Sequence, residues 1–229
     1  MLTKLDIKDR LSTYNPDSIN GDVYTARSLL GALAPPELKV LSNEGLDQHF
    51  GISGSTGNNL GIKNRLVPAS VLIPIIIRDC DLTVLFTRRS HTLNDHAGQI
   101  SFPGGKVEVF DNNRVSTALR EAKEEVGLNN ETVEVLGCLG PYITGTNFEV
   151  TPVVGFVSPA PAIFTINKEE VAEIFELPLN YALDLSNYEK VLNTDNRGRR
   201  GYYVIQYEQH RIWGATAAML MNLSEVLQV

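Results

Sequence analysis

The clearest hydrophobic patterning lies in the second two-thirds of the chain. Ala69 to Ile77 and Thr83 to Phe86 are short apolar runs rich in β-branched residues. They predict two strands, with Arg78-Asp79-Cys80-Asp81 as the hairpin turn between them. A long loop over 88–101 then leads to Phe102-Pro103-Gly104-Gly105. Further on, Val115, Ala118, Leu119, Ala122 and Val126 fall at i, i+3, i+4, i+7 and i+11, one apolar helical stripe that ends at Gly127. More strands are predicted at 133–139, 149–157 and 202–207, and a C-terminal helix over 216–226. Strands and helices mix without the regular alternation of a doubly wound sheet. The expected fold class is therefore α/β in the α+β sense, a mixed sheet flanked by helices. The chain shows no internal repeat.

The first 63 residues are patterned more weakly. Leu2, Leu5, Ile7 and Leu11, then Val23, Ala26, Leu29 and Leu30, are spaced as on a helix but are broken by Asn15-Pro16 and Pro35-Pro36. Gly51, Gly54, Gly57 and Gly61 among Ser and Asn have the composition of a flexible loop. The expectation is a helical or irregular N-terminal extension over 1–63 and a catalytic domain over 64–229.

Composition narrows the function classes. A chain of 229 residues has room for one catalytic domain and an extension. The longest apolar stretch, Val71 to Ile77, is interrupted by Pro74 and falls well short of the ~20 residues a bilayer span needs, so no membrane segment is expected. Lys4, Asp6, Lys8, Asp9 and Arg10 interrupt the N-terminal apolar positions, which argues against a signal peptide and for a cytoplasmic location. Cys80 and Cys138 lack metal-ligand spacing and are read as reduced, structural residues. A net charge of -7 argues against a nucleic-acid partner. It leaves room for a small phosphorylated ligand neutralised locally by a metal ion and a few arginines.

The chemistry is concentrated in Arg120-Glu121-Ala122-Lys123-Glu124-Glu125-Val126-Gly127-Leu128. On a helix, Glu121, Glu124 and Glu125 cluster on one face, roughly opposite the apolar stripe. Like charges at that spacing repel, so the cluster is best explained by a cation within it. Hard oxygen ligands in an incomplete cage suit Mg²⁺ or Mn²⁺. Taken alone, the same run also reads as a solvated acidic face held by Arg120 and Lys123.

The residues upstream sharpen this. Gly104-Gly105, then Asp111, then Arg120-Glu121 and Glu124-Glu125 resemble the Nudix box, G-x(5)-E-x(7)-R-E-U-x-E-E-x-G-U, where U is apolar. Asp111 replaces the usual Glu, and one extra residue separates it from Arg120. Both departures resemble the coenzyme A pyrophosphatase branch of the superfamily. Leu85-Phe86-Thr87-Arg88-Arg89-Ser90, followed by Gly98 and Phe102-Pro103-Gly104-Gly105, resembles a second motif of that branch, with Asn94 where the motif has its second Arg. The resemblance runs over about 68–223.

The resemblance implies a Nudix α/β/α sandwich that hydrolyses the diphosphate of coenzyme A or its derivatives to 3',5'-ADP and (acyl-)4'-phosphopantetheine with Mg²⁺ or Mn²⁺. Glu121, Glu124 and Glu125 are the implied metal ligands, and Arg120 orients a box carboxylate. Glu170 is preferred as a further ligand or base over Glu149, Glu169 and Glu173, although Glu170-Val171-Ala172-Glu173 also reads as the start of a surface helix. Arg88, Arg89, Gly104, Gly105 and Lys106 are the implied substrate-binding residues. His96 is read as structural or solvated rather than substrate-bound, and Trp213 as a packing anchor. The resemblance also admits a homodimer. Two alternatives stay open: a Nudix hydrolase of ADP-ribose, a dinucleoside polyphosphate or an oxidised nucleotide, and a non-catalytic Nudix domain that senses a ligand.

Overall fold

A computed structural model describes residues 2–14, 20–21, 66–79, 81–93, 96–159, 164–195 and 198–227. The hairpin at Asp79 sets its frame. β2 (Val67–Arg78) and β3 (Asp81–Arg89) pair antiparallel with Arg78 opposite Asp81. Asp79 takes φ +47, the left-handed conformation that tight hairpin turns demand. β8 (Phe148–Val157) runs parallel to β2 on its other edge, from Val67 opposite Phe148 to Ile76 opposite Val157. β2 is thus central, and Leu72 to Ile76 are all buried, which accounts for its nearly continuous apolar run.

Pro74 is tolerated in this central strand because of where its edge partners stop. β5 (Gly104–Lys106) pairs with Ala69 to Val71, and β3 begins its pairing at Ile75. Pro74 lies between them, where no ladder donor is needed. The same divergence brings Gly104-Gly105 against β2, close beside the carboxylate helix.

β9 (Val171–Pro178) and β4 (Ile100–Ser101) pair with β3. β6 (Val133–Cys138) and β7 (Tyr142–Ile143) pair with β8, and β1 (Asn20–Gly21) pairs parallel with β7. Together they make a mixed sheet of nine strands among the described residues. β10 (Tyr188–Asp195), β11 (Gly198–Tyr207) and β12 (His210–Trp213) form a second, antiparallel sheet.

Helices cover both faces of the main sheet. On one, α2 (Arg114–Val126) sets Ala118, Ala122 and Val126 against Leu72, Ile76, Leu85, Val153 and Val157. On the other, α1 (Lys4–Thr13) and α4 (Gly214–Val226) set Ile7, Leu11, Leu220 and Leu223 into a core with Ile73, Ile75, Phe86 and Val154. A short helix, α3 (Leu179–Leu183), joins the two sheets. The mixed sheet with flanking helices is the expected class.

Two expectations need revision, and a third gains detail. The run Glu170 to Glu173 is not the start of a helix: it enters β9, because Val171 is buried and pairs with Arg89. The first helix of the N-terminal segment is part of the core, with Ile7 and Leu11 buried and Lys4 and Lys8 bonded to Glu134 of β6. Trp213 is substantially exposed, with Tyr202 edge-on and the Arg211 guanidinium over its ring. It is therefore no packing anchor. The second helical pattern at 23–30 and the glycine-rich 51–61 lie outside the described residues, as does Cys80. Cys138 is a free thiol.

Candidate active site

The sequence fixes α2 at both ends. The Asn113 side chain accepts from the Ser116 amide at 2.9 Å, and the Ser116 hydroxyl accepts from the Asn113 amide at 2.9 Å, a reciprocal cap. Gly127, at φ +72, closes the other end, a conformation in which a side chain would be strained. Between these caps the helix holds four charged residues of the site, from Arg120 to Glu125.

Arg120 is the organising cation. Its Nε and Nη2 donate to the two oxygens of Asp111 at 3.0 and 2.9 Å, and Nη2 also donates to the Lys106 carbonyl at 3.1 Å. Its Nη1 donates to both Glu121 Oε1 and Glu124 Oε2 at 2.9 Å. Asp111 additionally accepts from the Glu108 amide and the Thr117 hydroxyl, each at 2.9 Å. The Arg120 guanidinium, helped by these donors, holds the Asp111 carboxyl well below the usual carboxylate range, and Asp111 in turn raises Arg120. Asp111, with a side chain only 3% exposed, is thus the buried anchor that aims Arg120 at the glutamates.

The three glutamates do not share one environment. Glu124 is 52% exposed and held by Arg120. Glu121 is largely buried, and that burial raises its carboxyl despite Arg120. Glu125 is 3% exposed, and burial, reinforced by Glu121 and Glu170, pushes its carboxyl up to about 8 against the pull of Arg89 and a Gly104 amide. Its Oε2 has no hydrogen-bond partner among the described residues. The expectation that all three project away from the core therefore fails for Glu125, which the packing of α2 on β2 and β5 encloses.

The glycine loop approaches this cluster closely. A Cβ on Gly105 would overlap the Glu121 carboxylate, and one on Gly104 would come within 2.5 Å of the Ser70 carbonyl and 2.6 Å of Val71 Cα. Glu170 reaches the site from β9's approach: its Oε1 accepts from Asn167 Nδ2 at 3.0 Å, and its charge acts on both Glu121 and Glu125. Asn167 also donates its backbone amide to the Glu125 carbonyl at 2.9 Å, tying this turn to the end of α2. Sequence reasoning had no signal for Asn167.

Arg88 and Arg89 part company. Arg89 acts electrostatically on Glu125, and its buried Nε has no partner among the described residues. Arg88 Nε instead donates to Glu173 Oε2 at 2.8 Å, while Glu173 Oε1 lies 3.0 Å from His210 Nε2 and the His210 ring stacks on Phe175. Glu173, Phe175 and His210 border the core shared with α4, so Arg88 and Glu173 stand on the face of β3 away from the carboxylates. Glu149 is bonded to Arg114 at 2.8 Å, and the Lys106 ammonium lies 5.7 Å from the centre of the Phe148 ring. Glu169 is exposed. His96 is exposed and bonds Gln99 at 3.0 Å, and Asn94 lies outside the described residues.

Among the described residues, no three His, Cys, Asp or Glu side chains form a preformed metal cage. The donor chemistry nonetheless fits a hard divalent cation. Glu170 raises the carboxyls of both Glu121 and Glu125, Glu121 adds to the rise at Glu125, and a buried carboxylate oxygen of Glu125 is unpaired among the described residues. A cation among them would remove both penalties.

A family model described as NUDIX domain matches residues 68–193. The "Uncharacterized Nudix hydrolase NudL" of Photorhabdus laumondii is 45% identical over 162 residues, covering 70% of this chain and 85% of that protein. The protein of the same name from Yersinia pestis is also 45% identical over 162 residues, covering 70% and 80%. Among solved structures, a MutT/nudix family protein from Enterococcus faecalis aligns with TM-score 0.45 and 14% identity over 81% of this chain and 74% of that one.

Proposed function

Because this chain belongs to the Nudix hydrolase family, whose enzymes act on pyrophosphate bonds, we propose that it is a divalent-metal-dependent coenzyme A pyrophosphatase. The substrate is the diphosphate of coenzyme A or an acylated derivative, and the products are 3',5'-ADP and (acyl-)4'-phosphopantetheine. The catalytic unit is 64–229, acting in the cytoplasm without a nucleic-acid partner. The observation that carries the reading is the meeting of two motifs. Arg89, from Leu85-Phe86-Thr87-Arg88-Arg89-Ser90, is half-buried, has a buried Nε with no partner among the described residues, and acts on Glu125 of the carboxylate helix.

Glu121, Glu124 and Glu125 would hold Mg²⁺ or Mn²⁺, with Glu170 beside them. A metal held there would supply positive charge to the phosphoryl oxygens and make the attacking water more acidic. In the hydrolysis, the water oxygen bonds to phosphorus, the bridging P–O bond breaks, and the water's proton passes to a carboxylate of this cluster. Arg120, locked by Asp111, fixes Glu121 and Glu124 in position. Arg89 offers its guanidinium to a diphosphate oxygen. Gly104 and Gly105 keep the backbone close to the glutamates. Arg88 is committed to Glu173, so of the two arginines Arg89 is assigned to substrate.

One residue favours a second reading. Asn94 removes a cation that the coenzyme A motif carries, which favours another nucleoside diphosphate derivative such as ADP-ribose, a dinucleoside polyphosphate or an oxidised nucleotide. A substrate panel with Mg²⁺ and with Mn²⁺, products separated by chromatography, decides between them. Preferential release of 3',5'-ADP from coenzyme A is expected. Faster cleavage of ADP-ribose would assign the second reading, and tight binding without hydrolysis would assign a sensor.

A further inference from the structure

The turn that leads from β5 into the loop before α2 breaks a rule of turn composition. The Asp111 amide donates to the Glu108 carbonyl at 3.0 Å, and the Glu108 amide donates to Asp111 Oδ2 at 2.9 Å. These bonds close a four-residue turn with Val109 and Phe110 at its centre. Turn centres favour glycine, proline and small polar residues. Here two large apolar residues occupy them, and they are 101% and 68% exposed. Such exposure on a loosely held tip would mean little, but this turn is pinned by the buried Asp111 and through it by Arg120.

Phe110 is also placed next to the reaction centre. The Arg120 guanidinium carbon lies over its ring, 5.5 Å from the centroid, while that same guanidinium bonds Glu121 and Glu124. The cation covers one side of the ring, and the ring's large exposure leaves it accessible at the rim of the carboxylate cluster. An aromatic ring so held offers a rigid surface for a flat π-system.

We propose that Phe110 is the stacking platform for the nucleobase of the diphosphate substrate, with Val109 flanking it. The assignment rests on the functional reading above only in that the ligand is a nucleoside diphosphate derivative. The base stacks on Phe110, the diphosphate reaches the carboxylates past Arg120, and the turn Glu108 to Asp111 sets the separation between them. Phe110 is then a specificity-determining residue that rewards a base on the diphosphate and is indifferent to the diphosphate itself.

Calorimetric binding of ADP and of inorganic pyrophosphate to the full chain in Mg²⁺ tests this, with wild type, Phe110→Ala, Phe110→Leu and Phe110→Trp. Loss of base stacking in Phe110→Ala is expected to weaken ADP about tenfold. Pyrophosphate affinity should stay constant, Phe110→Trp should retain ADP binding, and Phe110→Leu should lose most of it. Equal ADP affinity in wild type and Phe110→Ala would overturn the proposal. So would equal losses for ADP and pyrophosphate, which would show Phe110 acting through Arg120, and so would full retention by Phe110→Leu, which needs no stacking. Wild type that binds ADP no better than pyrophosphate overturns it as well. Absence of hydrolysis of any diphosphate compound instead defeats the functional reading, and the ADP-against-pyrophosphate comparison still judges Phe110.

Discussion

Two glutamates on opposite sides of the main sheet show how differently one side chain can be used. Glu134, on β6, receives Lys4 at 2.9 Å and Lys8 at 2.8 Å from α1, and the two lysines lower its carboxyl to about 2. Glu125, on α2, is enclosed with an unpaired oxygen, has Glu121 and Glu170 as charged neighbours, and has its carboxyl raised to about 8. The first arrangement is complete within the chain and serves to dock a helix. The second is incomplete, and an incomplete buried charge is an element that structure alone does not favour. Its completion requires a cation from outside, which is the link from packing to catalysis.

The largest way to break this contrast is to neutralise the buried carboxylate. Glu125→Gln should lower turnover by roughly a thousandfold, within the range that loss of an acid–base or charge-stabilising group produces. The same variant should respond differently to pH. Burial raises the Glu125 carboxyl from its ordinary value near 4.5, so the folded metal-free protein keeps a proton that the unfolded chain releases. The associated stability is complete below about 4.5 and is lost as pH rises to about 8. Thermal melts in chelator should show wild type weakening over that window, with a flatter profile for Glu125→Gln. Wild-type turnover in the variant would remove the catalytic assignment, and parallel melting curves would remove the electrostatic one.

A smaller loss is expected from the glycine loop. In Gly105→Ala the new methyl displaces the Glu121 carboxylate. A displacement of that kind near a reaction centre costs on the order of a hundredfold, read in kcat. Unchanged kcat would mean that Glu121 can shift without consequence.

Asp111→Asn tests the anchor behind the site. Removing the charge from the buried end of the Arg120 pair should cost about 3 kcal/mol. In a chain of this size that corresponds to a fall in Tm of roughly 6–12 °C, little changed by salt. A Tm equal to wild type would show that Asp111 is not the anchor.

The smallest effect belongs to the complete cluster. Lys4→Ala or Lys8→Ala removes one of two partners from an exposed carboxylate, so the change in Tm should lie near the limit of detection and vanish in high salt. A fall as large as that of Asp111→Asn would erase the distinction between the two glutamates.

Much of the frame was legible because local signals agreed with tertiary demand. The apolar stripe from Val115 to Val126 with Gly127 behind it is α2, and the two apolar runs on either side of Asp79 are the β2–β3 hairpin. The departures have identifiable causes. Helical phase groups Glu121, Glu124 and Glu125 on one arc, but it does not tell which edge of that arc meets the sheet, and Glu125 lies on the edge that does. Arg88 and Arg89 are equivalent as neighbouring cations in a motif, whereas strand geometry sends them to different partners, Glu173 and Glu125. The Glu170 to Glu173 run looks helical by its spacing of acids, yet pairing with β3 makes it a strand. The docking of α1 through Ile7, Leu11 and Glu134 depends on residues more than a hundred positions apart, which no local window contains.

Binding of Mn²⁺ to the metal-free protein, followed by electron paramagnetic resonance at pH 7 in wild type and Glu125→Gln, addresses the central claim most directly. The expected result is saturable binding by wild type and an affinity lower by about tenfold or more in the variant. Equal affinity in the two proteins, or no binding by wild type, would contradict it.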